Sequence, residues 1–383
     1  MFLALREMRH SKARYSLIMV IMLLVSFLVL FVTGLARGLA YANISALENM
    51  PANYFVVQSD ADHTFRRSQL GESELAAARA VAGEAKATPL GVQTSTITAA
   101  DADVKADITF FAIDMAGMLA PEVTEGAGIT NEVQGSAVVD SKLEESGVTI
   151  GSTISDQATG MSWTVSGFVK DSSYSHTPVV YINQLDWQAM KQGAVQGGSS
   201  DSTDSTDSTD STGNAPYNVI ALKVSSAQAS EIAAQQQSVE VITQKQAISS
   251  VPGYAAEQNS LLMMIAFLFV IAAVVLAVFF YVITIQKTSQ FGILKAMGTK
   301  MSYLAWSVVG QVLILSVASL ALSLLLTFGM NMGLPDTMPF QLDGQTMILT
   351  SLLFIGMSLL GSLISVARVA KVDALEAIGR TGA

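Results

Sequence analysis

Four stretches of the chain carry no charged residue: Tyr15–Ala36, Gln258–Gln286, Met301–Pro335 and Gly344–Ala367. Each meets the length of about 20 residues that carries a helix across a hydrocarbon core. Between the first and the second the pattern changes. "YFVVQ", "TSTITA", "DITFFAID", "SAVVD", "WTVSGFV" and "PVVYIN" read as strands, and "ESELAAARAVA", "NQLDWQAMKQG" and "SAQASEIAAQQQ" as helices. The pattern therefore predicts an α-helical membrane protein with four transmembrane helices and an α+β domain inserted between helices 1 and 2. Its divisions are 1–37 with the first span, 38–257 for the inserted domain, and 258–383 for spans two to four. Within the domain, "GGSSDSTDSTDSTDSTGN" at 197–214 has no apolar residue, and its composition predicts a disordered surface loop.

Composition adds little, since 51% hydrophobic residues is near the ordinary globular share. Charge placement adds more. Arg6, Arg9, Lys12 and Arg14 precede the first span as in a signal peptide, but the apolar run is too long for one, which points to an uncleaved anchor. Lys287, Lys295 and Lys300 follow span two, and Arg368, Lys371 and Arg380 follow span four. The loop "DTMPFQLDG" has two acids and no base. By the positive-inside rule, both termini and segment 287–302 face the cytoplasm of a plasma membrane, and 38–257 faces outside. The acid excess behind the net charge of −10 lies in the outer part, which gives no support to nucleic-acid binding. With no cysteine, disulfides and thiolate metal sites are excluded.

No G-x-x-x-x-G-K-[ST] loop and no serine-hydrolase elbow occurs, so the chain does not read as an enzyme. Segment 287–302 carries the strongest local signal. Phe291, Leu294, Met297, Met301 and Leu304 recur at helical spacing, Lys295 and Lys300 stand near the end of that turn, and Gly298 suits a left-handed cap. This predicts a short amphipathic helix along the inner face. Pattern alone leaves two uses open: a headgroup anchor or a docking surface.

"QKTSQFGILKAMGTK" and the tail "ARVAKVDALEAIG" resemble segments of the FtsX/MacB-type ABC transporter permeases. The layout of one span, a large outer domain and three spans is also similar. The resemblance implies that the segment docks on a separate ABC ATPase through Phe291, Leu294, Lys295 and Met297. ATP is then bound by that partner, and the permease works as a homodimer in the lipid bilayer. Longer blocks, among them "NISALENMPANYFVVQ", "YAAEQNSLLMMIAFLFVIAAVVLAVFFYVITIQK" and "DTMPF", resemble the haem-efflux ABC permeases of Gram-positive bacteria. That likeness implies haem as substrate, no permanently bound cofactor, and a detoxifying role. Other substrates of the wider family, such as a peptide antibiotic, and regulation of an external hydrolase are the alternatives.

Haem iron takes axial His, Met, Cys or Tyr, and carboxylate oxygen suits ferric iron. The expected haem-binding residues at the outer ends of the spans are Glu48, Met50, Arg37, Glu257, Met263, Met264 and Met338. Glu48, Met263, Met264 and Met338 are the expected iron ligands, and Arg37 a partner for a propionate. His176, in "SYSHTP", reads as a surface turn residue.

Overall fold

The computed structural model describes residues 12–99, 104–197, 216–287, 292–293, 297–299, 301–334 and 338–369. It divides into two compact units, 1–39 with 259–383, and 40–258. Among the described residues four helices are long and apolar enough to cross a membrane: α1 (Lys12–Glu48), α6 (Tyr254–Gln286), α7 (Met301–Asn331) and α8 (Gly344–Val369). The 37 residues of α1 reach about 55 Å at the α-helical rise, well beyond a hydrocarbon core of about 30 Å.

In the helical unit, Tyr15, Ile18, Met22 and Leu30 of α1 meet Leu276 and Phe280 of α6, Val312 and Leu315 of α7, and Phe354 of α8. Lipid is as apolar as these side chains, so association depends on close packing and hydrogen bonds. Hydroxyl residues supply both. Ser316, Ser319, Ser323 and Thr327 lie buried along α7, and Ser358, Ser362 and Ser365 along α8. Several donate to carbonyls of their own helix, as Ser316 does to Val312 O at 2.8 Å and Ser358 to Phe354 O at 2.9 Å. Ser365 instead donates across to Thr284 Oγ1 at 2.8 Å, tying α8 to α6.

Lysine 287 departs from the sequence expectation. Placed there in a basic cytoplasmic loop, it is only 3% exposed. Its ammonium donates to Tyr15 Oη at 2.7 Å and Gln311 Oε1 at 3.1 Å, and Tyr15 Oη donates to Gln311 Oε1 at 2.7 Å. Nζ also lies 5.2 Å from the centre of the Tyr15 ring. The lysine is drawn inward because α1 and α7 present polar partners at its depth.

The second unit is built on an eleven-stranded mixed sheet. Its strands are β1 (Tyr54–Gln58), β2 (Ala87–Ala99), β3 (Val104–Ile113), β4 (Glu125–Gly126), β5 (Ser136–Asp140), β6 (Thr153–Asp156), β7 (Ser162–Val169), β8 (Ser173–Tyr174), β9 (Thr177–Asn183), β10 (Val219–Leu222) and β11 (Val239–Thr243). The order is β11-β1-β10-β2-β3-β9-β5-β7-β4, with β6 against β2 and β7, and β8 against β9. β3–β9 and β5–β7 pair in parallel. Alternation along β3 sorts the core. Phe111 and Ile113 join one cluster with Phe55, Phe65 and Tyr174, while Ile108, Phe110 and Ala112 join another with Trp163, Trp187 and Met190. Three longer helices cover the sheet: α2 (Glu72–Ala82), α3 (Gln184–Gly197) and α4 (Ser226–Gln235). The short α5 (Gln244–Ser249) follows β11. The Asp-Ser-Thr repeat lies outside the described residues.

Asn218 fastens a loop to a strand. Asn218 Oδ1 accepts from Val92 N at 2.7 Å, and its Nδ2 donates to Ser68 O at 3.0 Å. Asn218→Ala is expected to lower stability by about 2–4 kcal/mol, since it strands two buried backbone groups at about 1–3 kcal/mol each, less whatever water recovers. Thermal unfolding of the purified chain checks this.

Candidate functional site

The C-terminal end of α1 is built into the second unit. Ile44, Ala46 and Leu47 belong to its largest core cluster. Ser45 Oγ accepts from Ser173 N and Asn43 O from Ser175 N, each at 2.8 Å. Gln244 of α5 donates to Leu47 O at 2.7 Å, satisfying one of the carbonyls that a helix end leaves open. This fixes Glu48, which is half-buried. Met50, just past the helix, packs against the same core cluster.

Glu257 opens α6 and meets partners that the sequence reading did not choose. Its Oε2 lies 2.9 Å from His176 Nε2 and accepts from Asn43 Nδ2 at 2.9 Å, and Asn43 Nδ2 stands 3.0 Å from His176 Nε2. Asn43 is fully buried. His176 sits at the tip of the β8–β9 hairpin, where Ser175 and His176 have φ of 52° and 63°. The two-residue connection needs positive φ at both central positions to match the strand twist. It therefore aims the imidazole at Asn43 and Glu257. The sequence could not pair these three residues, which lie far apart in the chain. Glu48 stands about 140° round α1 from Asn43 at 100° per residue, so it does not share that face.

In the helical unit, residues 338–343 seat on α1. Gln341 N donates to Gly34 O at 3.1 Å, and the Phe340 ring stacks on Phe31 with centroids 5.7 Å apart. Phe31 stacks in turn on Phe27 at 5.8 Å. The segment fits because Gly34 and Gly38 leave room for it: a Cβ at Gly34 would lie 2.4 Å from the Phe340 ring, and one at Gly38 2.1 Å from Pro339 O. Arg37 is half-buried beside this segment. A hydrogen bond from the Thr346 side chain, helped by the Arg37 charge, holds the Asp343 carboxyl below the usual carboxylate range. Arg37 and Met338 thus belong to one region, with Met338 about half exposed. Met263 and Met264 lie exposed on the surface of α6.

Of the docking stripe, Phe291, Leu294 and Lys295 lie outside the described residues. Gly292 and Ile293 are helical, Met297 is 69% exposed, and Gly298 has φ +91°, the open backbone a helix-ending glycine supplies. Among the described residues no three His, Cys, Asp or Glu side chains converge as a metal cluster.

Comparison with known proteins adds the following. Residues 262–374 match the family model of the FtsX-like permease C-terminal region. A protein of Staphylococcus haemolyticus, named as the HrtB permease of a hemin transport system, is 32% identical over 379 residues, covering 99% of both chains. Its namesake in Staphylococcus epidermidis strain ATCC 12228 is 29% identical over the same share of each. Among solved structures, the periplasmic region of MacB from Actinobacillus actinomycetemcomitans overlaps weakly, with 12% identity, a TM-score of 0.35, and coverage of 52% of this chain and 94% of that one.

Proposed function

The chain belongs to the HrtB group of FtsX-like ABC permeases, and from that premise we propose that it is the permease subunit of an ATP-driven haem efflux pump. The observation that carries this reading is the end-to-end identity with permeases named for hemin transport. In this reading the chain pairs as a homodimer with two copies of an HrtA-type ABC ATPase. Both termini and segment 287–302 face the cytoplasm of a plasma membrane, and the sheet domain is extracellular.

Haem, a flat apolar plate with two carboxylates, partitions into the bilayer and enters laterally near the outer leaflet. Glu48 and one of Met263, Met264 or Met338 take the iron, Met50 and Glu257 stand nearby, and Arg37 meets a propionate. ATP-driven closure of the ATPases reaches the permease through Phe291, Leu294, Lys295 and Met297. The spans close on the plate and expel it outward. The driving term is the difference in haem affinity between the open and closed states.

The test is a haemin titration of the purified chain followed in the Soret band. Wild type should bind saturably with a shifted band. Glu48→Ala should weaken binding by about tenfold, or about 1.4 kcal/mol, and alter the visible spectrum, because an axial ligand sets the iron's electronic environment. ATPase activity of the assembled complex should survive the change. Wild-type protein without a saturable Soret change would overturn the haem reading, and an unchanged Glu48→Ala would remove that residue from the site.

A further inference from the structure

Asn43, His176 and Glu257 place three polar atoms at the corners of a nearly equilateral triangle, with edges of 2.9, 2.9 and 3.0 Å. With the carboxylate ionised, no assignment of protons makes all three edges hydrogen bonds. If the imidazole carries its proton on Nε2 and donates to Glu257, then Nε2–H faces Asn43 N–H. If Nε2 bears the lone pair, it accepts from Asn43 but faces the carboxylate oxygen. Turning the amide over gives the imidazole proton to Asn43 Oδ1 and sets that oxygen against Glu257. Amide orientation is an assignment and not fixed by shape, yet each choice leaves one edge repulsive. As oriented, Asn43 Oδ1 is buried without a hydrogen-bond partner in a fully buried residue. A buried orphan of this kind costs about 1–3 kcal/mol.

A cation at the triangle removes the repulsion on all three edges. With the amide turned, Oδ1, Nε2 and carboxylate Oε2 all present lone pairs to a common point. Cis ligands of an octahedral ion at about 2.1 Å stand about 3.0 Å apart, whereas tetrahedral ligands at that bond length stand about 3.4 Å apart. The observed edges match the first. Imidazole with two oxygen donors suits first-row divalent ions, and the half-exposed His176 side leaves the remaining positions to water. The hairpin geometry already described fixes the imidazole, and Ser175 N bonded to Asn43 O at 2.8 Å ties the tip to the helix beside it.

We propose that Asn43, His176 and Glu257 form a facial binding site for a divalent transition-metal ion. The ion joins α1, the start of α6 and the β8–β9 hairpin within the sheet-containing unit. The site needs no haem and does not rest on the transport reading. It assigns Glu257 to the ion and leaves Glu48 and the methionines to the porphyrin.

The experiment uses the full chain, chelator-treated, in detergent. ZnCl2 is titrated by calorimetry and by competition with a zinc indicator, with MgCl2 as the control. One zinc ion per chain should bind saturably, while magnesium should not. His176→Asn tolerates the left-handed backbone and so keeps the hairpin, and Glu257→Gln keeps the size of the side chain. Each removes a ligand and should weaken zinc by more than the roughly tenfold lost when a ligand loses only its outer-shell partner. Asn43→Asp separates this proposal from a merely hydrogen-bonded joint. It should lower the melting temperature in chelator, because two carboxylates then stand about 3 Å apart, and zinc should restore it while binding more tightly than to wild type. No saturable zinc in wild type would overturn the proposal. So would zinc binding indifferent to both His176→Asn and Glu257→Gln, or an Asn43→Asp protein that zinc fails to restore.

Discussion

Gly38→Ala is expected to destabilise the helical unit, although alanine is the better helix former. In an open helix interior the exchange gains up to about 1 kcal/mol. At Gly38 the new Cβ would stand 2.1 Å from Pro339 O, 2.4 Å from Pro339 C and 2.7 Å from Phe340 N. All three are backbone atoms, so no rotamer change relieves the overlap. The segment 338–341 has to lift from α1, which gives up the Gln341–Gly34 hydrogen bond and the Phe31–Phe340 stack. Overpacking costs about 1–3 kcal/mol where side chains can adjust, and a backbone obstruction should reach the top of that range or pass it. Gly310, Gly329 and Gly356 have nothing within 4 Å of a built Cβ. Alanine there should be neutral or stabilising. Thermal unfolding of the four variants in one detergent decides the matter, and a Gly38→Ala protein as stable as the other three would show that the segment does not rest on α1.

The second large effect is expected at Lys287. Lys287→Met keeps the length of the side chain and gives up the hydrogen bonds to Tyr15 and Gln311, at about 1 kcal/mol each. Lys287→Glu puts an anion where Gln311 Oε1 and Tyr15 Oη received a cation. A buried charge deprived of compensation costs about 3–5 kcal/mol, so this variant should melt well below the methionine one or fail to accumulate. Equal stability of the two would mean that residue 287 reaches water. Lys287 directly follows α6 and begins the segment proposed to dock on the ATPase. Its hydrogen bonds bring α1 and α7 to the same point.

The four spans were legible because a missing charge over that length has one common cause. The strand "YFVVQ" was read residue for residue, since its apolar run is bounded by polar neighbours. Strands β10 and β11 were not read. They are about as short as β1, and no apolar run bounded by turn residues sets them off from the helices beside them. The extension of α1 past Arg37 carries Asn43, Ser45 and Glu48, which break an apolar pattern while keeping a helix whose polar groups find partners in the second unit. Lys287 looked like a solvated anchor because nothing local distinguishes a lysine that snorkels from one that meets a tyrosine far off in the chain. His176 looked like a turn residue and is one. Its neighbours Asn43 and Glu257 come from helices flanking the whole domain, and a one-dimensional reading has no access to that pairing.

The position of β1 has a consequence for synthesis. Tyr54–Gln58 is the first strand made, and it sits between β10 and β11, the last two. The partners at Val239–Thr243 appear about 185 residues later, which at about 5–20 residues per second is about 10–40 s. One edge of β1 waits for β10 and the other for β11, which follows it, and the long loop closure that delivers them is slow in its own right. The strand's apolar residues Phe55, Val56 and Val57 are fully covered in the finished sheet but bare throughout the wait. An exposed apolar strand with open edges is a template for wrong pairing. The newborn chain therefore passes through a period in which a chaperone at the exit of the translocation channel would have the most to protect.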